Sequence, residues 1–87
     1  MKDSKAKKLK KLVFRSMHRG TKEMDIILGK FAIKNLHKFS ENELNEFENI
    51  LEIPDDILFN WYMKNSEIPE IYDTKILKLI MNFKVNS

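Results

Sequence analysis

Apolar residues recur along this chain at three- and four-residue intervals, in five separate runs. Leu9, Leu12, Val13 and Met17 share one narrow helical face and predict a first helix over 4–19. Phe14 falls beside that stripe and either widens the buried face, the commoner case, or is presented to a partner. Met24, Ile27, Leu28, Phe31 and Ala32 make a full stripe at i, i+3, i+4, i+7 and i+8. They predict a second helix that continues through Leu36 to about Phe39, with Ile26 and Ile33 broadening the stripe into the most enclosed helix of the set. Gly29 within it costs about 1 kcal/mol relative to Ala, so close approach of another helix, or a kink, is expected there. Leu44, Phe47, Ile50 and Leu51 face inward on a third helix. Ile57, Leu58, Trp61 and Tyr62 define a fourth, and Ile76, Leu77, Ile80 and Phe83, with Met81 alongside, a fifth over 73–83. No stretch alternates with period two for long enough to make a strand.

The polar residues between these stripes act as punctuation. Gly20 ends the first pattern, in the place just past a helix C-terminus where glycine takes positive φ without a Cβ penalty. Thr21 is a fitting N-cap for the second helix. Ser40 and Glu43 have the spacing of a capping box for the third. Pro54, followed by Asp55 and Asp56, opens the fourth, and the segment 66–70, with Pro69, reads as a loop. The fold class that follows is all-α, a compact bundle of five short helices. It forms a single domain over 1–87, with residues 1–8 as a basic arm.

Composition narrows the function classes. A chain of 87 residues buries only about 60% of the surface its unfolded form exposes. With no cysteine, disulfides, thiolate metal sites and cysteine nucleophiles are excluded. No apolar run reaches the ~20 residues that span a bilayer, and the N-terminus lacks the apolar core of a secretory signal. A soluble protein of a bacterial cytoplasm is the expectation. The net charge is only +3, yet Lys2, Lys5, Lys7, Lys8, Lys10 and Lys11 crowd the start while acids dominate 41–56. The lysines read first as a solvated, frayed helix start, and second as an electrostatic arm for an acidic surface or nucleic acid. No aromatic residue interleaves with them, which counts against stacking on single strands.

Catalytic constellations fail on spacing. His18 and His37 belong to no metal-ligand pattern, and two isolated glycines cannot build a phosphate loop. Ser16, His18 and Asp25 lack a nucleophile elbow. Asp55 and Asp56 fit the first turn of a helix as dipole partners and caps better than an acid–base pair. The chain is expected not to be an enzyme, to hold no metal and to carry no cofactor of its own. Trp61 is assigned to the core, and Phe59 is left open between core and surface.

One segment exceeds what helix packing needs. Between Arg15 and Asp25 lie two arginines, His18 and two carboxylates, with Gly20 in the middle. Dipole complementarity explains each residue type, but not so many groups able to form bidentate contacts on one corner. The run Arg19-Gly20-x-x-Glu23-x-Asp25, continuing to Leu28-Gly29-x-Phe31, resembles the RGxxE signature of the succinate dehydrogenase flavinylation factors. A second block, Pro54-Asp55-x-x-Leu58-Phe59-Asn60-Trp61-x-Met63, resembles that family's later stretch. The two blocks and the helices between them cover roughly 11–83.

The resemblance implies an assembly chaperone that binds the flavoprotein subunit of succinate dehydrogenase and promotes its covalent FAD attachment. The fumarate reductase flavoprotein is a second candidate client. The FAD would belong to the flavoprotein, and the chaperone would be a monomer when free, with no membrane insertion. By the same resemblance the partner-binding residues are Arg19, Gly20 and Glu23, with Asp25 beside them and His18 and Arg15 on the border. Arg19 would reach a carboxylate or carbonyls of the partner, and Glu23 an arginine there or Arg19 itself. The alternative reading is a small basic helical module for nucleic acid, which the acids Glu23 and Asp25 at the start of the second helix already oppose.

Overall fold

The computed structural model describes residues 2–85. Five α-helices follow one another: α1 (Lys2–Met17), α2 (Lys22–Asn35), α3 (Glu41–Ile50), α4 (Asp55–Tyr62) and α5 (Lys75–Met81). One 3₁₀ turn, Leu36–Lys38, extends α2, and a second, Glu70–Tyr72, precedes α5. The all-α reading therefore holds, and there is no strand among the described residues. No helix among them is long and apolar enough to cross a membrane.

The helices start where the caps put them. Thr21 Oγ1 accepts from the Met24 N–H at 3.3 Å. Ser40 and Glu43 form the full reciprocal box, with bonds of 3.2 and 2.8 Å. Thr74 caps α5 through the Leu77 N–H at 3.3 Å, and Glu46 of α3 reaches across to the Ile76 N–H at 2.9 Å. These two contacts fix the start of α5 at Lys75, two residues later than the apolar pattern alone suggests. At the other end of the chain α1 begins at Lys2, ahead of the expected start, so the lysine run continues the helix. Lys8 is tied to α3 through Asn45 and through Glu48 at 3.5 Å. Met1 and the side chains of residues 2–4, which belong to the expected arm, lie outside the described residues.

The core gathers around α2. Met24, Leu28, Phe31, Ala32 and Leu36 are all but inaccessible, and Leu44, Phe47, Leu58, Ile76, Leu77 and Ile80 close around them. Phe31 is the hub: its ring lies 5.9 Å from Phe47, 6.2 Å from Phe39 and 5.4 Å from Phe83, the last edge-on. Trp61 is buried, as expected, and packs 5.7 Å from Tyr72. Phe59 is half-buried. Tyr62 donates to the Phe83 carbonyl at 2.7 Å, pinning the chain after α5 to α4.

Several apolar residues expected inside are outside. Ile26, Ile33 (59% exposed), Met17 and Ile57 lie on the surface, and Phe14, at 62% exposure, does not widen the buried face of α1. Four neighbouring helices of 7 to 16 residues cannot surround α2 completely. Ile26 and Ile33, seven apart, fall on the side left uncovered. Gly29 behaves as expected: a Cβ there would stand 3.1 Å from Cγ and 3.6 Å from Cα of Met17, so the glycine lets α1 cross α2 closely. Ser16, fully buried at the same crossing, disposes of its hydroxyl by donating to the Leu12 carbonyl at 2.7 Å.

Candidate functional site

The corner between α1 and α2 is built around the guanidinium of Arg19. Its Nε donates to Asp55 Oδ1 at 2.7 Å, and its Nη2 lies at the same distance from that oxygen. Nη1 donates to the Leu51 carbonyl at 2.6 Å and Nη2 to the Ile53 carbonyl at 2.8 Å. Those two carbonyls sit at the end of α3 and in the turn beyond it, where helix geometry leaves acceptors without intrahelical donors. Arg19 thus satisfies the end of one helix, pairs with the start of α4, and anchors the start of α2 by position. Only 11% of each of the paired side chains is exposed. The guanidinium finds the carboxylate and carbonyl partners expected for it, but finds them within its own chain.

The rest of the corner follows from that pair. Asp55 Oδ2 accepts from the Thr21 N–H at 3.0 Å, and the Arg19 backbone N–H donates to Asp25 Oδ1. Gly20 does not take positive φ, contrary to expectation. Its reason for being glycine is space: a Cβ would meet Asp55 Oδ2 at 3.3 Å, closer than carbon and oxygen settle comfortably. Gly20, three residues past the end of α1, has little room for a side chain because the clamp carboxylate lies against its backbone.

What this leaves facing outward differs from the sequence expectation. Arg19 is half-buried and internally committed, and Asp25 is half-buried and engaged with the Arg19 backbone. Gly20 and Glu23 are exposed, and Glu23 has no ion-pair partner among the described residues. It does not hold Arg19; Asp55 does. Glu23 lines a cleft whose walls are Ile26, Ile27, Phe59, Tyr62 and Lys84, so an acid stands beside exposed apolar surface. On the other side of the bend, Phe14, Arg15, His18 and Gly20 border a shallow depression floored by Arg19 and Asp55. The His18 ring stacks on Phe14 with centroids 4.0 Å apart, and its Nδ1 is 2.8 Å from the Phe14 carbonyl. A carbonyl only accepts, so Nδ1 carries the proton and Nε2 faces away from that bond. Arg15 bonds Glu52 of the segment after α3 at 2.7 Å and approaches Glu48 at 3.9 Å. Both pairs are open to solvent and hold their geometry weakly.

Sequence reasoning missed the Asp55 clamp. A signal was present: Arg19 opens the first motif block and Asp55 stands in the second. Two motifs 36 positions apart with opposite charges are a pair worth testing, but dipole complementarity supplied a local explanation for Asp55 and hid the long-range one.

Comparison with known proteins gives the corner a context. Residues 10–84 match the family model described as the flavinator of succinate dehydrogenase. The chain is 42% identical over 73 residues to the succinate dehydrogenase assembly factor 2, mitochondrial, of Dictyostelium discoideum, covering 84% of this chain and 52% of that protein. It is 40% identical over 76 residues to the FAD assembly factor SdhE of Acetobacter pasteurianus, covering 87% and 70%. The assembly factor 2 of Saccharomyces cerevisiae is 36% identical over 84 residues, covering 92% and 52%. The chain spans about half the length of the mitochondrial relatives it matches. Both motif blocks fall inside the matched span, and the clamp joins them at one point of the fold: the chain belongs to the family of flavinators of succinate dehydrogenase.

Proposed function

We propose that this chain is an assembly factor that docks on the flavoprotein subunit of succinate dehydrogenase and promotes covalent attachment of FAD to it. The observation that carries the reading is the family match across 10–84, a span that holds both motif blocks. The docking element is the outward side of that corner. Gly20 offers bare backbone, Glu23 offers a carboxylate for a cation of the client, and the neighbouring cleft of Ile26, Phe59 and Tyr62 offers apolar surface. Arg19 and Asp55 act beneath it as positioning residues, and Asp25 helps by holding the Arg19 backbone. Arg15 and His18 border the docking face.

A binder that prefers one conformer of its client raises the population of that conformer in proportion to its differential affinity. No catalytic group of the chaperone is needed for such an effect, and in this proposal it performs no chemistry and holds no FAD of its own. Action on a freshly made client in a bacterial cytoplasm belongs to the same proposal. The nucleic-acid alternative keeps Lys7, Lys10 and Lys11 as exposed cations, but Lys8 is bound to α3 and Glu23 and Asp25, which open α2, repel phosphates.

The test is co-expression with the cognate flavoprotein in a host lacking its own factor, with covalent flavin read by in-gel fluorescence after denaturation. The expected result is a fluorescent band with the wild-type chain and a weakened one with Glu23→Ala, whose melting temperature falls only slightly because Glu23 is exposed and supports α2 through the helix dipole alone. A band no stronger than that of the empty vector would overturn the proposal.

A further inference from the structure

A groove lies apart from the docking corner, between the end of α3, α4 and the 3₁₀ turn before α5. Its walls include Ile53, Ile57, Trp61 and Tyr72. The charged residues lining it are Glu52 and Glu67, both exposed, and among the described residues no lysine, arginine or histidine lines it. That is unusual in a chain with 16 Lys and Arg against 13 Asp and Glu. Glu52 is already held by Arg15 of the same chain, so Glu67 is the rim acid left for an outside cation, and the apolar floor beside it suits an apolar side chain flanked by lysines.

The same molecule carries such a segment. Lys7, Lys10, Lys11 and Phe14 are all exposed and share one face of α1 at i, i+3, i+4 and i+7. Phe14 is the large apolar residue of that ridge, with most of its ring surface uncovered. The ridge and the groove flank a common landmark. Phe14 adjoins Arg15, Arg15 bonds Glu52, and Glu52 lines the groove. A contact in which the Phe14 of each copy meets the groove of the other is closed and self-complementary about a twofold axis.

We infer that this chain forms a weak homodimer in which Phe14 of each copy seats in the Ile53–Ile57–Trp61–Tyr72 groove of the other, with Lys10 and Lys11 against Glu67. This departs from the monomer that the sequence suggests. The dimer covers Phe14, against which His18 stacks at the border of the docking face, so self-association and client docking compete. The inference does not depend on the flavinylation reading, and either can fail alone.

Sedimentation equilibrium of the wild-type chain at concentrations up to about 1 mM tests it, at low and high salt. The expected result is an apparent mass rising from 10.4 kDa toward twice that value with concentration, and rising less at high salt. Phe14→Ser and Ile57→Asp, both at exposed positions, should each weaken association by about tenfold or more while melting like the wild type. An equal mixture of the two variants should associate better than either alone, because one intact Phe14 still meets one intact groove. A wild-type chain that stays monomeric at the highest concentration would overturn the inference. So would association indifferent to salt or to both substitutions, or a mixture no better than its components.

Discussion

Two bends in this chain solve opposite problems with the wrong-looking residue. The bend after α1 has a glycine and no positive φ. The bend after α4 has positive φ and no glycine, since Lys64 sits at φ 62°. At that second bend the Asn65 N–H bonds the Asn60 carbonyl at 2.8 Å and the Lys64 N–H bonds the Trp61 carbonyl at 3.1 Å. This is the pair of bonds that closes a helix through a left-handed residue, a place where glycine is usual. At Gly20 the constraint is a neighbour, Asp55, pressed against the backbone; at Lys64 it is the backbone itself. Glycine in a sequence therefore announces a bend without saying whether space or dihedral angle demands it.

Removing the neighbour's partner should have the largest effect. Arg19→Leu would strand the Asp55 carboxylate and two carbonyls at the corner between α1 and α2. It should lower the unfolding free energy by about 3 kcal/mol, read by urea denaturation, and a loss under about 1 kcal/mol would show that the clamp is dispensable. Gly20→Val should cost less, about 1–2 kcal/mol, because the added atoms crowd an oxygen that can shift. The signature to seek is weakening of the clamp: Gly20→Val and Arg19→Leu together should cost less than the sum of the two, as residues sharing one contact do. Additive costs would mean that Gly20 answers to something other than Asp55.

At the other bend the sign reverses. Lys64→Gly should stabilise the chain by about 0.5–1 kcal/mol, relief of the left-handed strain outweighing the entropy that glycine adds to the unfolded chain. A lowered melting temperature would mean that Lys64 contributes a contact that outweighs its strain.

The smallest effect concerns a helix start that needs no bend at all. Glu43 accepts from the Ser40 N–H and then from Lys75, and these bonds hold its carboxyl below the ordinary glutamate value. A depressed carboxyl contributes stability that is present above its ordinary value and lost as pH falls through the lowered one. The stability difference between the wild type and Glu43→Gln should accordingly shrink on acidification through that window. A difference that is flat with pH would remove the capping carboxylate from the account.

Much of this architecture is legible along the chain because its causes are local. Helix stripes, the Thr21 cap and the Ser40–Glu43 box each depend on residues within a turn of one another, where spacing and rotamer suffice. The close crossing at Gly29 was legible too, because a glycine inside a buried stripe has few other uses. The exposure of Phe14, Ile26, Ile33 and Ile57 was not. Period alone cannot tell how many neighbours a helix face will find, and a bundle this small runs out of them.

The sequence by itself determined that this chain is helical, where its helices are capped, and which two motif blocks set it in its family. Only the tertiary structure decided that Arg19 turns inward, that Asp55 receives it, and that Glu23 is left facing out. The physical reason is reach. A cap is satisfied by its own turn, whereas a guanidinium with five donors takes whichever acceptors the folded backbone brings within about 3 Å, and those come from a helix end more than thirty residues along the chain.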